Sequence, residues 1–275
     1  MTTMTGRHRV VRIANGSVSG RPDTLVTEEP LEMRLNGTSL AVTMRTPGHD
    51  YELAAGFLVA EGVVAAAADI RTIRHCTDEP GVTADNIVEV TLAPGVPIPE
   101  ETLTRHTVTT SACGLCGKSS LDAVRATTRF DVAADPARLD ADLVLSLPGR
   151  LREAQRVFDR TGGLHAAGLF TADGTPVRVR EDVGRHNAVD KLIGWALQRD
   201  RLPLTGHILV VSGRASFELV QKAVMAGIPA MAAVSAPSTL AVDLAAESGL
   251  TLAGFVRGTS MNVYTGGHRL GLTED

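Results

Sequence analysis

The sequence predicts an α/β protein with a mostly parallel sheet that helices cover on both faces. From about residue 140 onward, short apolar runs typical of buried strands alternate with helical patterns. Alternation of this kind favours parallel strands joined by helices. Before that point the patterns indicate a hairpin and a single helix. We therefore divide the chain into a flexible N-terminus (1–25), a β-rich N-terminal part (26–139) and an α/β core (140–275).

Composition excludes several classes of function. Across 275 residues the formal net charge is −4 and aromatic residues make up 3%, which argues against a general nucleic-acid binder. The sequence has no N-terminal signal pattern and no apolar stretch long enough to span a bilayer. Three cysteines are an odd, low number that suits a reducing compartment. We expect a cytoplasmic protein that binds neither membranes nor nucleic acids.

In the N-terminal part, apolar and polar residues alternate on both sides of Asn36-Gly37, which predicts a β-hairpin. Pro47-Gly48 then breaks the strand, and Asp50 is placed to cap a helix that runs to Glu61. Two short strands are predicted over residues 70–76 and 87–92, before a proline-rich connector.

The C-terminal half contains the alternating elements that define the predicted fold. Pro148 favours a helix start at that position, and Gly162-Gly163 ends it. Asp173-Gly174 is a turn signal between two strands. Strands are predicted over 165–171, 176–179, 207–211, 228–234 and 250–256, and helices over 148–160, 185–199, 216–226 and 239–248.

Residues 109–120 contain two of the three cysteines in a C-x-x-C spacing, Cys113 and Cys116. Gly114 and Gly117 punctuate the stretch, and the flanking residues are small and polar. Glycines of this kind permit backbone conformations with positive φ, and no apolar face is present to bury the segment. The sequence therefore predicts an exposed loop that presents two thiols to a partner.

Three kinds of chemistry use such a pair. A structural zinc site needs four ligands, and only Cys76 beside His75 is left to complete one. A thioredoxin-type dithiol belongs at a helix N-terminus inside a βαβ unit, whereas this pair lies in a glycine-punctuated loop. A sulfur carrier would hold a persulfide on one thiolate, which the nearby Lys118 favours. The residues alone leave the dithiol and carrier interpretations open.

Three loops predicted at the carboxyl ends of the strands share one composition, namely residues 212–216, 235–239 and 257–260. Each is small and rich in hydroxyls, two contain an arginine, and the first two precede helices. Free N–H groups at helix N-termini and arginine side chains both suit phosphate. The alternative is that these are only tight turns and helix caps, but the three together favour an anionic ligand.

A dense polar run at a predicted strand-to-helix junction adds further candidates. Asp182, Arg185, His186 and Asn187 are placed to line a pocket there, although a solvated helix start is the simpler alternative. His165 sits in an apolar strand, where a histidine is more often an interior residue than a ligand.

Several long motifs of this chain resemble those of the FdhD family, sulfur carriers that formate dehydrogenase requires. They lie at both ends and in the middle of the sequence, and the resemblance spans about residues 25 to 266. The matching segments are 28–31, 34–37, 44–50, the Ser-Ala-Cys-Gly-Leu-Cys-Gly loop at 111–117, 161–168, 180–191, 212–214, 235–238 and 255–258.

The resemblance implies a cytidine-deaminase-like layered fold without the deaminase zinc site, and a homodimer. It implies that sulfur passes from a cysteine desulfurase to the molybdenum cofactor, bis-molybdopterin guanine dinucleotide, before the cofactor enters formate dehydrogenase. No permanently bound metal is expected. By position, Cys113 matches the persulfide-carrying cysteine and Cys116 its partner. The segment that the resemblance assigns to the cofactor consists of Phe255, Val256, Arg257, Gly258, Thr259 and Ser260. To these we add the polar candidates Ser212, Gly213, Arg214, Ser235, His186 and Asp182. Asp182 is expected to pair with the guanine edge.

Two alternatives from other functional classes remain beside this expectation. A dithiol redox protein would cycle Cys113 and Cys116 through a disulfide without a desulfurase. A non-catalytic chaperone would bind the molybdenum cofactor, or a GDP-like ligand, without using either thiol.

Overall fold

The computed structural model describes residues 3–76, 84–98, 107–108 and 128–272. Its strands are β1 (Thr5–Ala14), β2 (Ser17–Val26), β3 (Glu29–Leu35), β4 (Thr38–Arg45), β5 (Ile70–His75), β6 (Ile87–Leu92), β7 (Thr107–Val108), β8 (His165–Thr171), β9 (Pro176–Asp182), β10 (His207–Val211), β11 (Ala230–Ala233), β12 (Thr251–Arg257) and β13 (Ser260–Thr265). The α-helices are α1 (Asp50–Ala60), α2 (Ala141–Ala154), α3 (Arg156–Thr161), α4 (Arg185–Leu197), α5 (Phe217–Met225) and α6 (Thr239–Glu247). Among these described helices, none has the length and apolarity that a membrane span requires.

The six-stranded sheet has the order β13-β12-β11-β10-β8-β9 and is mixed. In this sheet of the described chain, parallel pairing joins β10 to β11 and β11 to β12, whereas β8, β9 and β13 pair antiparallel with their neighbours. The expectation of a mostly parallel sheet is therefore wrong for half of its strands. The connections at Asp173-Gly174 and Gly258-Thr259 are tight turns, and parallel pairing would need a long crossover instead.

Helices cover both faces of this sheet, as the sequence predicted. On one face, Leu147 and Leu151 of α2 pack in a cluster with Phe170 and Val210. On the other face, α4, α5 and α6 pack against Leu209 and its neighbours in a larger cluster. Alternation along each strand sends successive side chains to opposite layers.

The five-stranded sheet, with order β5-β6-β3-β4-β7, joins this core through α1. Helix α1 crosses α4 at Gly56 and Gly194, each of which lies against the backbone of the other helix. A Cβ atom on Gly56 would lie 1.9 Å from the Asp190 carbonyl oxygen, and one on Gly194 1.8 Å from that of Glu52. Only glycine permits this approach. Leu31 belongs to the same buried cluster as the α4 side chains, so both halves of the chain share one core.

Several local predictions need correction. The segment 1–25, expected to be flexible, contains the paired strands β1 and β2 from Thr5 onward. Helix α2 begins at Ala141 rather than Pro148, because the Asp140 carboxylate caps it by accepting a bond from the Leu143 N–H. Asp50 does not cap α1, since its carboxylate binds the buried Arg45 guanidinium instead. Strand β13 was not predicted.

Candidate functional site

The loops that follow β10 and β11 meet β12 at one edge of the six-stranded sheet. The Ala215 N–H donates to the Ala236 carbonyl (3.2 Å), and the Ser238 N–H donates back to Ala215 (3.0 Å). The Phe255 N–H donates to the Ser235 carbonyl at 3.2 Å. Carboxyl ends of parallel strands share an edge, so the loops after β10 and β11 meet each other and the last part of β12 there.

Strands β8 and β9 bring the predicted residue Asp182 to the same edge, together with His165, which was expected to be an interior histidine. His165 begins β8 and is paired with Asp182 at the end of β9. The Ser212 hydroxyl accepts a bond from the Ala166 N–H at 2.9 Å, which joins β8 to the loop after β10. Gly213 lies against the His165 ring, since an added Cβ would be 3.5 Å from its Nδ1. The antiparallel pairing of β8 thus places its start beside the end of β10.

His186 connects the first turns of α4 and α5 at this edge. Its Nε2 lies 2.9 Å from Oε2 of Glu218 and 3.2 Å from the Ser216 hydroxyl. The hydrogen bond from His186 lowers the pKa of Glu218, and this effect exceeds the opposing effect of burial. The contact thus holds the imidazole and the Glu218 carboxylate together between the two helix starts.

Arg185 gives the edge a cationic group. Within the part of the chain that the structure describes, its buried Nε has no hydrogen-bond partner, and no side chain caps α4 at Gly184. The pKa of His165 is lowered by burial first, then by the positive charges of Arg185 and His186. An unpaired guanidinium nitrogen beside an open helix N-terminus is suited to an anion.

Asp182 has an internal role. Its side chain is fully buried, and Oδ2 lies 2.7 Å from Nζ of Lys191 and 3.2 Å from the Thr46 N–H. Oδ1 accepts from the Gly184 N–H (2.8 Å) and from Nδ2 of Asn187 (3.1 Å). Both oxygens are thus occupied in holding the β9–α4 junction, so we leave Asp182 out of the proposed ligand pocket.

The segment from Phe255 to Ser260 divides between surface and interior. The Val256 side chain is buried against the α2 layer, and only its backbone can face a ligand. Phe255 is half-buried with a φ of 51°, and Arg257 lies 5.6 Å from the centre of its ring. Exposed residues follow, namely Gly258, Thr259 and Ser260, and Arg214 of the neighbouring loop is exposed as well.

The predicted sulfur-carrying residues, Cys113 and Cys116, lie outside the described residues. The chain enters their segment after β7, which pairs in parallel with β4 at Val42 and ends at Val108. Next along β4, the Thr43 hydroxyl lies 3.3 Å from Oδ1 of Asn187 in the first turn of α4. The described chain therefore stops beside the edge that contains the polar loops.

Within the described ranges, no group of three or more His, Cys, Asp or Glu side chains is placed to hold a metal ion. Cys76, which follows β5, is half-buried and has no disulfide partner among the described residues.

The sequence model of the FdhD/NarQ family matches residues 26–271. The chain belongs to the FdhD/NarQ family. It is 64% identical over 278 residues to the sulfur carrier protein FdhD of Streptomyces avermitilis, covering 99% of this chain and 98% of that protein. The sulfur carrier protein FdhD of Mycobacterium tuberculosis is 56% identical over 271 residues, covering 97% of this chain and 98% of that protein. The family resemblance drawn from the motifs is thereby confirmed.

A solved structure has the same overall fold. It is described as a candidate formate dehydrogenase accessory protein from Desulfotalea psychrophila, and it superposes with a TM-score of 0.75 at 25% identity. The match covers 98% of this chain and 100% of that one. The cytidine-deaminase-like layering stays a prediction.

Glu218 is the site residue that sequence reasoning missed in this FdhD/NarQ chain. It follows Ser216 at the start of a helix, where acidic residues are common for reasons of the helix dipole alone. Its contact with His186 joins positions that are far apart in the sequence, and neither helical pattern signals it.

Proposed function

We propose that this protein is a sulfur carrier that accepts persulfide sulfur from a cysteine desulfurase and transfers it to bis-molybdopterin guanine dinucleotide for formate dehydrogenase. Membership of the FdhD/NarQ family carries this proposal, because relatives named sulfur carrier proteins match at up to 64% identity over nearly the whole chain. The described solved structure supports formate dehydrogenase as the enzyme served.

In the first step, the Cys113 thiolate attacks the terminal sulfur of the desulfurase persulfide. A new S–S bond forms on Cys113, the S–S bond of the donor breaks, and the desulfurase cysteine leaves as a thiolate. The transferred sulfur keeps its oxidation state, so this exchange needs no external reductant.

Delivery of that sulfur as sulfide needs two electrons, which the cysteine pair supplies. The Cys116 thiolate attacks Sγ of Cys113, a Cys113–Cys116 disulfide forms, and the terminal sulfur leaves as hydrosulfide towards the acceptor. A dithiol reductant then reduces the disulfide and restores the carrier. This sequence gives the second cysteine of the C-x-x-C spacing a defined role.

The polar edge of the six-stranded sheet supports a guanine-dinucleotide substrate as the receiver. Among the described residues, the buried Nε of Arg185 has no partner there, and Arg214 and Arg257 are exposed on adjoining loops. The His186–Glu218 pair adds an imidazole next to two helix N-termini. Guanidinium groups and open helix N-termini are the usual ligands of pyrophosphate oxygens. In this proposal the molybdenum cofactor is the substrate, and its phosphates bind at this edge.

Activation of formate dehydrogenase in cells that lack this protein tests the proposal. Expression of wild type should restore activity, whereas Cys113→Ala should leave the enzyme assembled, with cofactor bound, but inactive. Full activity with a Cys113→Ala/Cys116→Ala variant would instead identify a cofactor-binding chaperone. Restoration by wild type in cells without any cysteine desulfurase activity would point to a dithiol redox protein.

The expected assembly is a homodimer, which light scattering during size-exclusion chromatography measures. GDP serves as the probe for the nucleotide site. Arg185→Gln should weaken GDP binding by about tenfold, as expected for loss of one charged hydrogen-bond donor. Binding of equal strength in both proteins would remove Arg185 from the site.

A further inference from the structure

A second cationic site surrounds Trp195 at the far end of α4. Three guanidinium groups lie over its indole ring, with Cζ of Arg178 at 4.7 Å, Arg201 at 5.2 Å and Arg199 at 5.3 Å from the ring centre. Trp195 follows Arg185 by ten positions, about 15 Å along a helix, so this cluster is separate from the polar edge. We call these four residues, with Arg180, the arginine–tryptophan cluster.

The cluster has a surplus of positive charge. Glu52 is occupied by Arg180, which it contacts with both oxygens at 2.6 and 2.8 Å, and it lies 4.0 Å from Arg199. In the part of the chain that the structure describes, neither Arg178 nor Arg201 forms an ion pair. Glu52 thus serves two of the four guanidinium groups, and the other two have no ion-pair partner among the described residues, although the whole chain has a net charge of −4.

Two hydrogen-bond donors in the cluster also lack acceptors. Nε of Arg178 and Nε1 of Trp195 are buried, and neither has a partner among the described residues. Buried donors are nearly always satisfied in folded proteins, because an unmet one retains its full desolvation cost. Two unmet donors under unpaired guanidinium groups indicate that an acceptor comes from another molecule.

A purely structural role explains only part of the cluster. Arg199 donates to the Trp195 carbonyl at 3.3 Å, and a cation at the end of α4 interacts favourably with the helix dipole. Arg178, however, lies on β9 rather than on the helix, and its buried Nε has no hydrogen-bond partner among the described residues. The helix end therefore accounts for Arg199 and leaves Arg178 unexplained.

We propose that the arginine–tryptophan cluster binds an acidic segment of a partner protein through Glu or Asp carboxylates. Guanidinium groups held on an aromatic face are pre-oriented for bidentate carboxylate binding, and Trp with Arg is the commonest composition of interface hot spots. β9 is the outermost strand of its sheet in the described residues. Its free edge can accept an extended peptide, which a small anion would not use. This binding is independent of the sulfur-transfer chemistry.

Trp195 is the sole tryptophan of the chain, so its emission reports on the cluster directly. The full-length protein is titrated with fluorescein-labelled polyglutamate while peptide anisotropy and Trp195 emission are recorded. Wild type should show saturable binding in both signals. Arg178→Gln/Arg201→Gln should bind at least about tenfold more weakly, since it removes two charged donors.

The matched control is Arg71→Gln/Arg74→Gln, which removes the same charge from exposed positions on β5 and should bind like wild type. Arg201→Glu changes one exposed side chain and should also lose binding. It therefore tests the cluster even where the double variant fails to fold. Equal affinity in wild type and Arg201→Glu, or no saturable binding to wild type, would overturn the proposal. A Trp195 response to inorganic phosphate or GTP with none to polyglutamate would likewise overturn it and assign a small-anion site.

Discussion

Replacement of Lys191 by Met tests how the β9–α4 junction positions the polar edge. The Lys191 ammonium lies 2.7 Å from Asp182, and both side chains are fully buried. With an effective dielectric constant of about 20, unit charges at this separation attract by about 6 kcal/mol. Lys191→Met removes this attraction and leaves the carboxylate buried without its counter-charge. We expect a loss of about 3–5 kcal/mol in the free energy of unfolding.

Urea unfolding of four proteins separates the pair energy from the loss of packing. They are wild type, Lys191→Met, Asp182→Asn and the double variant. In the double variant, Asp182→Asn removes the charge that Lys191→Met leaves uncompensated. The double variant should therefore lose about 2–3 kcal/mol less free energy of unfolding than the two single losses added together. The three variants should bind GDP more weakly than wild type, because Asp182 also accepts the Gly184 N–H at the start of α4.

Two results would refute this reasoning. A Lys191→Met loss below about 1 kcal/mol would mean that water or another cation compensates Asp182, since an uncompensated buried charge costs more. Additive losses in the four-protein cycle would mean that the two side chains do not stabilise each other.

Three further predictions concern the scaffold and the titrating groups. Gly56→Ala should cost at least about 2 kcal/mol in urea unfolding by separating α1 from α4, whereas the control Gly149→Ala, a helical site with open space, should be neutral or stabilising. Arg185→Gln should raise the lowered pKa of His165, and an unchanged NMR titration of that ring would contradict this. Because the pKa of Glu218 is lowered, its stabilising contribution is present above the ordinary carboxyl pKa and is lost as pH falls through the lowered value. Glu218→Gln should therefore lose less of its free energy of unfolding than wild type as the pH falls in the acidic range. A variant curve parallel to that of wild type would count against the contact between Glu218 and His186.

Turn chemistry and strand alternation made much of the fold predictable. Asn36-Gly37 has the two positive φ values, 49° and 83°, that suit a tight hairpin, and it joins β3 to β4 as expected. The same signal, Asn15-Gly16, joins β1 to β2, but the strands beside it are polar and were not recognised. Their few apolar side chains, such as Ile13 at 75% exposure, face solvent, so no buried face produced a pattern.

The site was predictable where it depended on topology and unpredictable where it depended on side-chain partners. Parallel strands place their following loops at one edge, so the convergence of residues 212–216 with 235–238 followed from the strand order. Periodicity contains no information on which buried charges pair across elements. The internal role of Asp182 beside Lys191 therefore required the structure, as did the contact of His186 with Glu218.

Sulfur carriage by Cys113 is tested most directly by intact-protein and peptide mass spectrometry after incubation with a cysteine desulfurase and cysteine. Wild type should gain one sulfur atom, located on the peptide that contains Cys113, and the added mass should disappear on treatment with a thiol reductant. Cys116→Ala should retain the added sulfur, because release needs the second thiol, and Cys113→Ala should gain none. An unmodified wild-type protein in the presence of active desulfurase, or a persulfide that forms equally well in Cys113→Ala, would contradict the proposed carrier.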